Sequence, residues 1–163
     1  MAQNIDRIVG VEVRLPSSVL VEMRDSARLC VDLTGWIATG GEILAPLRAA
    51  QIFGRVVVSD HGTAIAWDDA DLAIDIHHLV LLATEQQAFD GAALAAWQAD
   101  MALSNHEAAD FLGIAVSTWH GYKTGSTIPA AVAMACRASR RDPLIMQAHL
   151  RPRRPAGRPR ATA

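Results

Sequence analysis

The chain has 163 residues, of which 51% are apolar, 20% charged and 5% aromatic, the make-up of one large or two small globular domains rather than of a disordered chain. Its formal net charge of −2 conceals a gradient: residues 1–86 carry −6, residues 87–150 carry −1, and the last thirteen carry +5. No apolar run reaches the roughly 18 residues of a membrane span, and no basic-then-apolar leader opens the chain, so secretion and membrane insertion are excluded as first expectations and a cytoplasmic protein is expected.

A chain of this length buries about 70% of the surface it exposes when unfolded, enough for a core without covalent staples. Cys30 and Cys136 stand far apart with no ligand spacing around them, and both are expected to be reduced core thiols. Val9, Val11 and Val13 alternate with Gly10, Glu12 and Arg14, and the runs 19–23 and 29–33 follow after the breaks Pro16-Ser17-Ser18 and Arg24-Asp25-Ser26-Ala27. Alternation of this kind lays one sheet face on a core, so three short consecutive strands are predicted. Ile43, Leu44, Leu47 and Ala50 recur at helical spacing after Thr39-Gly40-Gly41, which predicts a helix over 43–51. Strands over 55–58 and 64–67 then form a hairpin around Asp60-His61-Gly62-Thr63. Residues 1–86 are therefore expected to be a small mixed α and β domain.

From Gln87 the β-branched alternation stops and alanine dominates. Asp90 is placed to cap a helix carrying Leu94, Trp97 and Met101. Ser104 with Glu107 three residues on makes a capping box for a second helix, which runs to Leu112 and stops at Gly113. A short third helix over 118–123 ends at Thr124-Gly125. Pro129 opens a fourth with Val132, Met134, Ala135 and Ala138 inward, and Asp142-Pro143 starts a fifth through about Leu150. Residues 87–150 are expected to be an all-α bundle, making the whole chain α+β.

The segment 103–119 is the most informative. Ala109 is small where a second helix must cross closely, and Gly113 suits a sharp helix-ending turn of positive φ. Ile114 and Trp119 return to the core and leave Val116, Ser117, His120, Gly121 and Lys123 outward. Two helices joined by a short Gly-containing turn form a helix-turn-helix, whose second helix enters the DNA major groove. The residues Leu103-Ser104, Glu107-Ala108-Ala109, Leu112-Gly113-Ile114-Ala115, Ser117-Thr118-Trp119 and Gly121-Tyr122-Lys123-Thr124-Gly125, with Pro129, resemble the phage-repressor (Cro-like) helix-turn-helix regulators over about 94–141. That resemblance implies a phosphate contact from Asn105, base-edge contacts at Val116, Ser117 and Gly121, and backbone contacts from Thr118, Lys123, Thr124 and Ser126. Ala115 departs from the usual Ser or Thr cap, and Gly121 offers no side chain, so His120 is a candidate to supply the missing contact. The competing reading is a helix pair used only for packing or dimerisation.

Residues 151–163 hold Arg151, Arg153, Arg154, Arg158 and Arg160 among prolines, and read as a disordered Arg/Pro-rich arm for phosphates or a minor groove. Gly157-Arg158-Pro159 is similar to the core of the A·T-hook peptide, although Ala156 stands where Arg usually precedes that glycine. A solvated tail is the alternative. In the first module, Val31-Asp32-Leu33, Phe53-Gly54-Arg55-Val56-Val57-Val58, Gly62-Thr63-Ala64-Ile65-Ala66-Trp67 and Asp71-Leu72 resemble the domain of unknown function 2442 family. Its members stand alone or are fused to a helix-turn-helix, some beside toxin genes, which implies binding without known catalysis and a structural role for Trp67. Asp68, Asp69, Asp71 and Asp75 lie near His77 and His78, but adjacent histidines point to different sides of a helix, so no metal site is expected. With no phosphate loop or nucleophile motif, the chain reads as no enzyme and as needing no cofactor. The expected function is a sequence-specific DNA-binding transcriptional regulator, a homodimeric repressor of an operator in double-stranded DNA, its first domain free for a protein partner. The second reading is an antitoxin-like protein that binds a partner through the first domain and DNA through the second.

Overall fold

The computed structural model describes residues 7–152, which divide at Gln87 and Ala88 into two compact units. Together they make an α+β fold. Among the described residues no helix is long and apolar enough to cross a membrane.

The first unit begins with β1 (Ile8–Arg14), β2 (Ser18–Met23) and β3 (Arg28–Asp32), an antiparallel meander in the order β1-β2-β3. Val19, Val21 and Val31 face inward and are fully buried. The register pairs Val11 with Val21 and Val21 with Leu29, so alternate residues line one core face. Two expectations fail here. A bulge between Ile8 and Gly10 breaks the alternation, turning Ile8 inward and leaving Val9 56% exposed. Cys30, paired with Leu20, lies on the outer face and is exposed; the alternation that buries Val31 necessarily turns its neighbour out.

The predicted helix over 43–51 is broken into pieces. After α1 (Thr34–Thr39) come α2 (Gly41–Leu44), a 3-10 turn at Ala45–Arg48 and α3 (Ala50–Phe53). Pro46 lacks the N–H a continuous helix needs, and Ala49 is extended at ψ 117°. Leu44 and Leu47 still reach the core, whereas Ile43 is 74% exposed. A second antiparallel sheet, β4 (Val57–Ser59), β5 (Ala64–Trp67) and β6 (Leu72–Asp75), follows, and then α4 (Ile76–Gln86). Every residue of β5 is buried. The Trp67 indole donates to the Phe53 carbonyl at 2.9 Å and lies 5.6 Å from the Phe53 ring. The Asp/His stretch is used locally: Asp69 pairs with Arg55 at 2.6 Å, and Asp75 caps α4 by accepting from the His78 amide.

The second unit is helical: α5 (Gly91–Asp100), α6 (Asn105–Leu112), α7 (Val116–Lys123), α8 (Ala130–Arg141) and α9 (Pro143–His149). Leu94, Trp97, Ala108, Ala109, Trp119 and Cys136 form its buried core. The third helix starts two residues earlier than the predicted 118. On α8 the buried stripe is Ala133, Cys136 and Ser139, and Met134 is 59% exposed, so the predicted inward face is rotated. Ser139 belongs inside because its hydroxyl accepts from the Trp97 indole at 3.0 Å and donates to the Cys136 carbonyl at 2.9 Å, which satisfies both polar groups without water.

Candidate nucleic-acid interface

Three turns of one kind fix α5, α6 and α7. At the end of α6, Gly113 has φ 66°; its N–H donates to the Asp110 carbonyl and that of Ile114 to Ala109. These are the two bonds of a Schellman turn, and glycine is suited to the left-handed position. Gly125 ends α7 in the same way at φ 113°, with the Ser126 amide donating to Gly121. Ala102 ends α5 likewise at φ 54°, with Leu103 donating to Gln98. A residue with a Cβ is strained in that position.

The helix pair α6–α7 is thus joined by only Gly113, Ile114 and Ala115. Ala109 is completely buried where the two pack. The Trp119 ring is also fully buried, and its indole N–H donates at 3.0 Å to the side-chain oxygen of Asn105. The same oxygen accepts from Gln98 at 2.9 Å and lies 3.5 Å from Lys123 Nζ, which itself donates to the Gln98 carboxamide oxygen at 2.9 Å and sits 5.8 Å from the Trp119 ring centre. Asn105, expected at a phosphate, therefore has its oxygen turned to the interior, and Lys123 is braced across the helix pair. Gln98, which the sequence reading did not single out, bridges them; its partner Lys123 is 25 positions away in the chain, so no local pattern marks it.

Of the other residues implied by the resemblance, Ser117, Thr118, His120, Thr124 and Ser126 are exposed, whereas Val116 and Gly121 are half-buried. Ser117, His120 and the C-cap Thr124 recur at helical spacing and form one outward stripe, with half-buried Gly121 beside it. Val116 packs against the core cluster. A Cβ on Gly121 would meet the Ser126 hydroxyl at 3.2 Å, which ties that position to the closing turn. Thr124 donates its hydroxyl to the His120 and Gly121 carbonyls. Arg151 donates to the Ala148 and Leu150 carbonyls; Arg153, Arg154, Arg158 and Arg160 lie outside the described residues.

The two helix starts differ electrostatically. Ser104 caps α6 in a complete capping box, and the Glu107 carboxylate accepts from the Ser104 amide and hydroxyl. An incoming phosphate meets a negative charge there. Ala115 leaves α7 without a side-chain cap, and no acidic residue stands in its first turn. The positive end of that helix dipole is uncompensated.

No protein-family model matches the chain, and no curated protein does. Among solved structures, a chain from Nitrosomonas europaea, named as a conjectured DNA-binding protein, covers 83% of this chain with 87% of its own, at 22% identity and a TM-score of 0.45, a likeness too slight to carry a function.

Proposed function

We propose that the chain is a sequence-specific DNA-binding regulator, in which α6 and α7 act as a helix-turn-helix of the phage-repressor (Cro-like) kind and α7 enters the major groove. The observation that carries this reading is the exposed stripe of Ser117, His120 and Thr124 on a helix whose opposite side is pinned by the buried Trp119 and its bond to Asn105. A rigid helix presenting short polar side chains approaches base edges closely, and the Ser117 hydroxyl can both donate and accept there. An eight-residue helix covers few base pairs, so a two-fold dimer on paired half-sites is the arrangement proposed, acting as a repressor by occupancy. The first unit, which resembles the domain of unknown function 2442 family, serves as the partner-binding or dimerising module. No reaction is assigned to either unit.

Gel-shift titrations of the full chain against DNA from upstream of its own gene and against an unrelated duplex, each at two salt concentrations, test this. The reading requires tighter binding to the first duplex at the higher salt, and Ser117→Ala should narrow that gap by roughly tenfold, the worth of one base contact of about 1–3 kcal/mol. Equal affinity for both duplexes at both salts would refute it.

A further inference from the structure

In the first unit, α1 and α4 border an open cleft of about 520 Å³, within the range of small-molecule sites. His78, Leu82 and Gln86, four residues apart on α4, line it together with Gly35, Trp36 and Thr39 of α1 and with Asp32 at the end of β3. A Cβ on Gly35 would touch nothing within 4 Å, so this lining position has room for a larger side chain.

The charged group of the lining is a carboxylate. Gln86 is locked onto the main chain of Asp32, accepting from its amide at 2.8 Å and donating to its carbonyl at 2.7 Å. Thr39 directs its hydroxyl proton to the Gly35 and Trp36 carbonyls. Asp32 accepts from the Thr34 amide at 2.8 Å and has no ion-pair partner among the described residues. Hydrogen bonds from the Thr34 side chain and amide hold the Asp32 carboxyl below the usual carboxylate range, so it is charged at neutral pH. Asp32 and Thr39 therefore offer a ligand lone pairs beside one negative charge, Gln86 keeps one amide N–H and His78 its imidazole, and the half-buried indole of Trp36 and the Leu82 side chain are the apolar surface.

We propose that this cleft binds a guanidinium group, carried by a small arginine-like molecule, with its plane against Trp36 and its N–H fork toward Asp32. Guanidinium suits the lining because it is planar, has five donors and no acceptor, and is attracted both to a carboxylate and to an indole ring. The net charge of −6 on residues 1–86 favours a cation at this unit generally, and Asp32 is the carboxylate in the cleft lining. The inference is independent of DNA binding.

The test is amide and indole NMR titration of the full chain with N-acetyl-arginine amide, compared with N-acetyl-citrulline amide, which has nearly the same shape and no charge. Shifts should concentrate on Asp32, Gly35, Trp36 and Gln86, with the citrulline probe about tenfold weaker or undetectable, the loss expected for a charge-assisted hydrogen bond. Asp32→Asn keeps an acceptor for the Thr34 amide and should abolish the preference for arginine over citrulline. Gly35→Leu adds a bulky side chain to the lining while leaving the carboxylate in place and should abolish binding, which keeps the test decisive if the Asp32 variant misfolds. Equal binding of both probes, binding that survives Gly35→Leu, or absence of shifts at tens of millimolar arginine probe would overturn the proposal.

Discussion

Asn105 allows the structural and the DNA-contacting roles of the helix pair to be separated by two substitutions. Its side-chain oxygen is the acceptor for the indole N–H of Trp119, a residue with no exposed surface. In Asn105→Ala that donor is left buried and unpaired, at a cost of about 1–3 kcal/mol. Gln98 keeps its bond to the Leu103 carbonyl, and Lys123 keeps its bond to Gln98, so neither adds a comparable penalty. A unit of this size has a stability of about 3–10 kcal/mol, so a loss near 2 kcal/mol lowers its melting temperature by about 10 °C. Asn105→Asp keeps the acceptor and places a carboxylate 3.5 Å or so from Lys123, so its stability should stay within about 0.5 kcal/mol of the parent. The same aspartate sets a negative charge where the repressor resemblance expects a phosphate, and should weaken DNA binding tenfold or more. Thermal unfolding followed by far-ultraviolet circular dichroism, alongside gel shifts, reads both effects. An unchanged melting temperature in Asn105→Ala refutes the Trp119 argument, and undiminished DNA binding by a stable Asn105→Asp removes this position from the interface.

Four further outcomes follow, three of them in the second unit. Ala102→Gly should stabilise it by about 0.5–1 kcal/mol in urea unfolding, because relief of roughly 1–2 kcal/mol of left-handed strain outweighs the greater freedom of glycine in the unfolded chain. Gly91→Ala should destabilise it by about 1–3 kcal/mol in the same assay, since the new Cβ would stand 2.8 Å from the Tyr122 carbonyl and 3.1 Å from that of Lys123, both main-chain atoms at the end of α7. Burial pushes the Cys136 thiol up to about 12 from 9.0. The folded unit therefore holds a proton that the unfolded chain releases above pH 9, and stability contributed by the neutral thiol is intact below that pH and is lost as pH rises toward 12. Urea midpoints should fall over that range, and less steeply in Cys136→Ala. At neutral pH a thiol reagent should modify exposed Cys30 in the folded protein and Cys136 only on unfolding.

Local signals were readable where a single chain segment contains the whole physical cause. The Ser104–Glu107 capping box, the stop at Gly113 and the β2–β3 alternation each depend on neighbours within a few residues, and each appears where the pattern puts it. The helix expected over 43–51 breaks because the missing N–H of Pro46 overrides the apolar spacing locally. Other features depend on distant partners. The inward Ser139 answers the Trp97 indole 42 positions away, the Gln98 bridge needs Lys123, and the cleft is assembled by Gln86 reaching Asp32 across 54 positions. Periodicity carries no information about such pairings. At the candidate interface, the outward Ser117, His120 and Lys123 were legible from helical spacing, but the half-burial of Val116 and Gly121 and the inward turn of the Asn105 oxygen were not.

The charges of the second unit determine where its affinity for a polyanion must come from. Between residues 88 and 152, five acidic residues balance five basic ones. Lys123 is bound to Gln98, Arg137 lies over the Phe89 ring, Arg140 pairs with Asp100, and Arg151 donates to two carbonyls. A neutral body with its cations engaged attracts DNA weakly, so under the proposed function the general electrostatic attraction would have to come from Arg153, Arg154, Arg158 and Arg160, with α7 selecting among sequences. Ending the chain after Pro152 should then weaken binding to operator and unrelated duplex by the same factor and reduce the slope of log affinity against log salt by up to about 3.6, four phosphate contacts at about 0.9 each. Ser117→Ala should act on the operator alone, leave that slope unchanged, and combine with the truncation additively, since the two act through separate contacts. A truncation that lowers affinity for the operator but not for unrelated DNA would reverse this division and make the arginines part of the sequence readout.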